Sequence, residues 1–279
     1  MDNTTAIILA AGLGKRMNDP ETPKVLFKLK DKPLLGYVVD VINEVNNKSK
    51  KYVINKSVFV VGHHKEKVIS FVNEYYKLDG IGNVNGNDNI SEAGPKTTVL
   101  KTNRFDFAIQ NEQLGTGHAV NQAKDFFGDN TDGNILILCG DVPFLTSDTI
   151  LKFLMEHKGS NSDISVLSTI AQNPKGYGRI VRDAAKNFKE ITEEKDADEL
   201  TKEITEVNSG IYYLKSSLLF DLLKDVKSNN AQGEYYLTDI IGLAINKSQK
   251  VFAFPLAKFE ELQGINTKEE LLNAEKLLD

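Results

Sequence analysis

Short, unbroken apolar runs alternate along this chain with longer stretches whose apolar positions recur every three or four residues. AIILAA (6–11), SVFVVG (57–62), Phe105 to Ile109 and NILILCGD (134–141) are of the first kind. Their length and continuous apolarity predict strands buried on both faces. Leu34, Val38, Val41, Ile42 and Val45 mark a helix over Pro33 to Val45. Further helices are predicted near 65–77, over 117–127 and over about 147–157, the last capped by Thr146 or Ser147. Alternation of this kind predicts βα units around a mainly parallel sheet.

Beyond Ile164 the texture changes. DISVLSTI, GRIVRD, FKEITEE and EVNSGIYYL predict strands separated by turn residues, which continue the sheet and add a strand-rich lobe. Helices return at about 216–225 and 236–246, followed by a strand, VFAFP (251–255), and a terminal helix from Thr267. DGIGNVNGNDNISEAGPKTT (79–98) is rich in Gly and Asn and reads as a long loop or insertion. There is no internal repeat and no hexapeptide β-helix pattern.

Composition narrows the function classes. A chain of 279 residues, 41% hydrophobic and 26% charged, has the length for one large α/β domain whose core needs no disulfide or structural metal. The single cysteine, Cys139, fits a reducing, cytoplasmic setting. The N-terminal MDNTTAIILAAG lacks the basic-then-apolar pattern of a signal peptide, and no apolar run approaches the roughly 20 residues of a membrane helix. A net charge of −5 and scattered lysines argue against a nucleic-acid partner. What remains is a cytoplasmic enzyme or binding protein acting on something small.

The first strand runs into IILAAGLGKRM (7–17). A Walker A loop would need Lys-Ser/Thr after its second glycine, and here Gly14 is followed by Lys-Arg-Met. A dinucleotide fingerprint would need a third glycine where Met17 stands, which disfavours a Rossmann dehydrogenase. A third possibility is a loop whose backbone N–H groups face a triphosphate, with Arg16 and Lys24 as countercharge; an ordinary tight turn explains the glycines equally well.

The continuation decides between them. LAAGLGKRM…PKVL…KPLL resembles the signature of nucleotidyltransferases that activate sugar phosphates. QNEQLGTGHAV (110–120), CGDVPFL (139–145), GYGRIVR (176–182) and NAQGEYYLTDII (230–241) resemble the uridylyltransferase domain of bacterial N-acetylglucosamine-1-phosphate uridylyltransferases. EEKDA (193–197), EVNSGIY (206–212) and GINTK (264–268) follow in that family's order, so the resemblance runs from about residue 5 to about 275. It implies a Rossmann-like, mostly parallel nucleotidyltransferase sheet with a strand-rich sugar-binding lobe. The whole chain, 1–279, would be one domain: a nucleotide-binding part at about 5–160, the sugar lobe at about 161–250 and a C-terminal metal-ligand segment at about 251–279.

The implied reaction joins UTP and N-acetylglucosamine 1-phosphate to give UDP-N-acetylglucosamine and pyrophosphate, with Mg²⁺. The attacking phosphate oxygen is already anionic, so the site needs cations, N–H donors and metal rather than a base or nucleophile. By resemblance, Asp141 and Asn266 are metal ligands, and Lys24 and Arg16 act on the phosphates. Leu9, Ala10, Ala11, Gly12 and Gly14 lie under the nucleotide, and Gln110, Gln113, Gly115 and Thr116 read the base. Gly178, Glu193, Asn208 and Lys195 hold the sugar, with Glu193 and its neighbour Glu194 open to exchange of roles. Asn266 also has a structural role open to it, as N-cap of the terminal helix. His118 is expected to be a structural histidine at a helix start, and His63-His64 a surface pair.

Two departures from the family matter. Cys139 stands where an aromatic residue often precedes the Gly-Asp, so alkylating it, where the thiol can be reached, is expected to slow turnover and UTP to protect it. No β-helix follows, so acetyltransferase activity is not expected, and glucosamine 1-phosphate should be a poor substrate. The rival readings are a uridylyltransferase for another sugar 1-phosphate, such as glucose 1-phosphate, and a non-catalytic protein that binds a nucleotide sugar.

Overall fold

The central strands are apolar at consecutive positions because both faces of their sheet are covered by helices. The computed structural model of the chain describes residues 2–78, 91–92, 98–101, 105–128 and 133–278. β1 (Asp2–Ala10) leads through the glycine loop and two single 3₁₀ turns, Lys15–Met17 and Lys24–Leu26, to a two-stranded hairpin, β2 (Lys28–Leu29) and β3 (Lys32–Pro33). There follow α1 (Leu34–Lys48), β4 (Tyr52–Val61), α2 (Lys65–Leu78), β5 (Ser91–Glu92), β6 (Thr98–Lys101) and β7 (Phe105–Ile109). Next come α3 (Thr116–Asn121), β8 (Asn134–Cys139), α4 (Ser147–Gly159), β9 (Ile164–Ile170), β10 (Arg179–Arg182) and β11 (Phe188–Thr192). α5 (Glu199–Lys202), β12 (Glu206–Lys215), α6 (Ser216–Leu223), α7 (Asp239–Asn246), β13 (Val251–Pro255), α8 (Phe259–Leu262) and α9 (Lys268–Lys276) complete the order.

β8, β1, β4 and β7 lie side by side and parallel. The strands after Ile164 extend the same sheet: β12 pairs antiparallel with β8, β9 and β10, β11 follows β10, and β13 pairs parallel with β9. Ala6, Ile8 and Ala10 of β1 face one core with α1, α2 and α4, whereas Ile7 faces a second with α3, α6 and α7. A small third cluster joins Leu29, Leu34, Ile265 and Ala274, and so docks α9 onto the segment that follows the glycine loop.

Three expectations change. The helix expected over 117–127 ends at Asn121 and tightens into a 3₁₀ turn at Lys124–Phe126. The helix expected from 236 begins at Asp239, because the backbone of Tyr235 and Leu237 is spent on the 114–117 loop. Within 79–98, Ser91–Glu92 pairs antiparallel with Thr98–Val99, so part of this stretch is strand; the remainder lies outside the described residues. Among the described residues, no helix is long and apolar enough to cross a membrane.

Candidate functional site

Four parallel strands end on one edge, at Ala10, Val61, Ile109 and Cys139, and the segments that leave them carry the candidate residues. This is the edge where open α/β sheets gather ligands. Gly140 N–H donates to Leu9 O (3.0 Å), which sets Asp141 beside the start of the glycine loop. Gly14 has φ +60, and a Cβ there would lie 2.9 Å from the Lys24 Cβ; one on Gly12 would be 3.9 Å from the Lys24 Cε. The loop therefore packs along the stem of Lys24.

Lys24 reaches both of the proposed metal ligands. Its ammonium pairs with Asp141 Oδ2 and donates to Asn266 Oδ1 at 2.8 Å. Asn266 arrives there because Ile265 N–H donates to Asp141 O (2.9 Å) and α9 anchors the segment. Asn266 is not the helix cap. Thr267 takes that role, its hydroxyl accepting from Glu270 N–H (3.1 Å) while Glu270 Oε2 accepts from Thr267 N–H (3.0 Å) and Asn266 N–H (2.6 Å). The Asn266 amide is thereby released to face Lys24. A carboxylate and an amide oxygen that already converge on one cation suit a hard divalent ion, which takes oxygen ligands.

Gln110 follows β7, with its N–H donating to Val61 O (2.8 Å) and its side chain donating to Gly115 O (3.1 Å). Gly115 has φ +106 and is enclosed by Tyr235 and Glu234. Tyr235 N–H donates to Leu114 O (2.8 Å), Gly117 N–H to Tyr235 O (2.7 Å) and Leu237 N–H to the Thr116 hydroxyl (3.0 Å). The 114–117 loop is thus fastened to the EYYL segment. Gln113 closes the gap to the glycine loop: a Cβ on Gly62 would lie 2.8 Å from its Nε2 and 2.9 Å from Ala11 O.

Around Gly178, Asn208 N–H donates to Gly178 O (2.9 Å), Asn208 Oδ1 accepts from Gly210 N–H (3.0 Å), and its Nδ2 donates to the Tyr212 hydroxyl (2.8 Å). Glu193 Oε1 accepts from the Thr238 hydroxyl (3.1 Å), and its Oε2 lies 3.4 Å from where a Gly178 Cβ would sit. Burial pushes the Glu193 carboxyl up, the Thr238 hydrogen bond opposes this, and Asp196, Asp239 and Glu234 push it further up. Glu194 has a different partner, Arg179, at 2.7 Å. Lys195 stands apart, exposed, with Nζ 2.5 Å from Gln232 Oε1. Arg16 is exposed on the 3₁₀ turn after Gly14.

Two residues missed at the sequence level connect these groups. Tyr177, inside the GYGR stretch, is placed between the Gly178 loop and the segment that carries Gly264 and Glu270. Burial pushes its phenol up to about 12, helped by Glu270 and Asp141, while a hydrogen bond from Gly264 and the charge of Arg16 act in the other direction. Arg179 is only 1% exposed and donates to Tyr177 O and Lys202 O besides pairing with Glu194. It ties the Gly178 loop to the strand end bearing Glu193. The signal for it was an arginine in an otherwise strand-like GRIVR, where a buried charge needs partners. Replacing Arg179 by Met strands the Glu194 carboxylate and two backbone carbonyls, and is expected to cost about 3 kcal/mol in urea unfolding. A loss below about 1 kcal/mol would show that the guanidinium holds nothing together.

Cys139 contacts the Asn208–Gly210 turn, its Sγ lying 3.8 Å from Gly210 O and 4.0 Å from Ser209 O. Burial pushes its thiol up to about 12, and the Asp141 carboxylate adds to this. Near neutral pH, iodoacetamide should modify folded Cys139 roughly a thousandfold more slowly than an ordinary thiol, since only the thiolate reacts. Mass spectrometry of timed samples, with and without urea, measures this. Equal rates in both would show that the fold does not hold the partly buried thiol protonated. His63 is exposed and His64 partly so; no cluster of metal-ligating side chains occurs among the described residues.

A glycine loop, a lysine and two convergent side-chain oxygens lie on the C-terminal edge of a parallel sheet, which makes this an α/β protein with its candidate site where such sheets gather ligands. The chain belongs to the nucleotidyl transferase family, whose model it matches over residues 5–260. It is 37% identical over 278 residues to the bifunctional protein GlmU of Caldanaerobacter subterraneus subsp. tengcongensis, covering 100% of this chain and 52% of that protein. For the GlmU of Geotalea daltonii the figures are 39% over 278 residues, 100% and 53%; for that of Lactococcus lactis subsp. lactis, 38% over 273 residues, 98% and 51%. The chain spans about half the length of the curated relatives it matches. Among solved structures, UDP-glucose pyrophosphorylase complexed with UDP-glucose superposes with a TM-score of 0.72 at 17% identity, covering 100% of this chain and 98% of that one. A putative glucose-1-phosphate thymidylyltransferase from Bacillus anthracis, in complex with a sucrose, gives 0.70 at 19% identity, covering 98% and 94%.

Proposed function

We propose that this chain transfers UMP from UTP to N-acetylglucosamine 1-phosphate, releasing pyrophosphate. The observation that carries the reading is the convergence of Lys24, Asp141 and Asn266 beside the glycine loop, between the Gln110–Gly115 and Gly178–Glu193–Asn208 groups. The likeness to GlmU proteins along the whole chain supports it. Asp141 and Asn266 would hold Mg²⁺, which when bound would offset the charge of the triphosphate and polarise its α-phosphate.

This chain's own residues do the rest. The phosphate of the sugar substrate attacks the α-phosphorus in line, and the β–γ pyrophosphate leaves with the bonding pair. No proton needs to be removed from the attacking oxygen, so positioning and charge carry the rate. Lys24 lies on the phosphates, Arg16 faces the leaving pyrophosphate, and backbone from Leu9 through Ala10, Ala11 and Gly12 to Gly14 supports the nucleotide. Gln110 and the backbone of Gly115 read the base, with Gln113 and Thr116 beside them. Backbone at Gly178 meets the acetamido group, while Glu193 and Asn208 take sugar hydroxyls. Glu193, not Glu194, has this role, because Glu194 is committed to Arg179. Lys195 joins them only by leaving Gln232. The reaction belongs in the cytoplasm, alongside its triphosphate substrate.

Phosphorus NMR on the chain with UTP, N-acetylglucosamine 1-phosphate and Mg²⁺ tests this. A diphosphate diester and pyrophosphate are expected in equal amounts, and only when both substrates are present. UTP persisting unchanged would overturn the assignment.

A further inference from the structure

We propose that Lys24 competes with the divalent ion for its ligands: until a triphosphate draws the ammonium away, Lys24 holds the two oxygens that such an ion needs. The inference rests on Asp141 and Asn266 being the metal ligands.

The side chains of Lys24 and Asp141 are only 16% and 13% exposed, so solvent and salt screen their pairing little. The ammonium holds Asp141 Oδ2 and, at 2.8 Å, Asn266 Oδ1. The aim of the second oxygen is fixed, because Asn266 Nδ2 donates to Gly264 O (3.1 Å) and so turns Oδ1 towards Lys24. Gly264 also crowds the carboxylate, since a Cβ there would lie 3.2 Å from Asp141 Oδ2. An ion that takes both oxygens must therefore break both bonds to Lys24. The displaced ammonium then repels it. A divalent ion alone is held weakly for this reason.

A triphosphate changes the balance. The stem of Lys24 runs beside the glycine loop, its Cε 3.9 Å from where a Gly12 Cβ would sit. Turning the last bonds of this flexible side chain moves the ammonium from the carboxylate to phosphates held by the loop. Those phosphates satisfy Lys24 and offer the ion further oxygens besides Asp141 and Asn266. Nucleotide and ion each strengthen the other's binding by the same factor, as linkage requires.

The test is the affinity for Mn²⁺ without nucleotide, read from the EPR signal of the free ion. Lys24→Met keeps the stem and removes the charge, and is expected to tighten Mn²⁺ about tenfold, the worth of a hydrogen bond between charged groups. Lys24→Gln, uncharged but still a donor, should tighten it by less. Lys15→Met, on the neighbouring 3₁₀ turn, should leave it unchanged. If Lys15→Met tightens Mn²⁺ as much as Lys24→Met, net charge alone is at work and the proposal is overturned. If Asp141→Asn weakens Mn²⁺ while Lys24→Met does not tighten it, the role of Lys24 is overturned and the metal site stands. An unchanged affinity in Asp141→Asn removes the metal site and the proposal with it. The second arm is UTP binding in EDTA. Asp141→Asn should tighten UTP about tenfold in the wild-type chain, where it frees Lys24, and much less in Lys24→Met. An equal gain in both backgrounds would mean that UTP does not draw Lys24 from Asp141, and would overturn the proposal.

Discussion

Replacing Asp141 by Asn is expected to lower turnover by about a hundredfold or more at saturating substrates, because the site loses the one charged member of a small set of oxygen ligands. The fold should survive. Asn keeps the shape of the side chain, and the Ile265 N–H that holds the metal-ligand segment donates to the backbone oxygen of residue 141, which the substitution leaves in place. Raising Mg²⁺ should recover part of the rate, which a merely structural lesion would not show. Initial rates across a metal titration, with circular dichroism as the control for folding, measure both. Activity within a few-fold of wild type, with an unchanged metal requirement, would remove Asp141 from the metal site.

Gly115→Ala is expected to raise the KM for UTP by about a hundredfold, from backbone strain and a clash together. The φ of +106 is costly for any residue with a Cβ, and a Cβ there would lie 2.6 Å from Tyr235 O. That oxygen already accepts from Gly117 N–H, so it cannot retreat without unfastening the 114–117 loop. Gly128→Ala supplies the control. Its φ is +57 and nothing lies within 4 Å of its added Cβ, so it should cost about 1 kcal/mol of stability and leave KM alone. A KM for UTP that is the same in both variants would mean that the Gly115 loop does not touch the nucleotide.

Burial on both faces is what made β1, β4, β7 and β8 legible as apolar runs, and the strand ends then located the site-bearing segments. The limits of α3 and α7 were not legible, because they depend on each other. Thr116 spends its hydroxyl on Leu237 N–H, 121 residues away, and local periodicity carries no trace of such a bond. The same holds inside the site. Asp141, Lys24 and Asn266 could be nominated one by one, yet their convergence depends on α9 packing against Leu29 and Leu34. Asn266 read as a helix cap because Asn is a good one; the Thr267–Glu270 pair, also present in the sequence, won the position. Glu193 and Glu194 are indistinguishable as letters and are separated only by the partner of the buried Arg179. The setting of the Cys139 thiol, pushed up by its packing against the Asn208–Gly210 turn and by Asp141, has no trace in the letters around it.

The proposal that one site joins UTP to N-acetylglucosamine 1-phosphate is tested by the initial rate of pyrophosphate release in Mg²⁺. ATP, GTP, CTP, UTP and dTTP would each be paired with N-acetylglucosamine, glucose, glucosamine and N-acetylgalactosamine 1-phosphates. Strong release is expected for UTP with N-acetylglucosamine 1-phosphate and little elsewhere. Strong release for a different pair, or none for any, would contradict it.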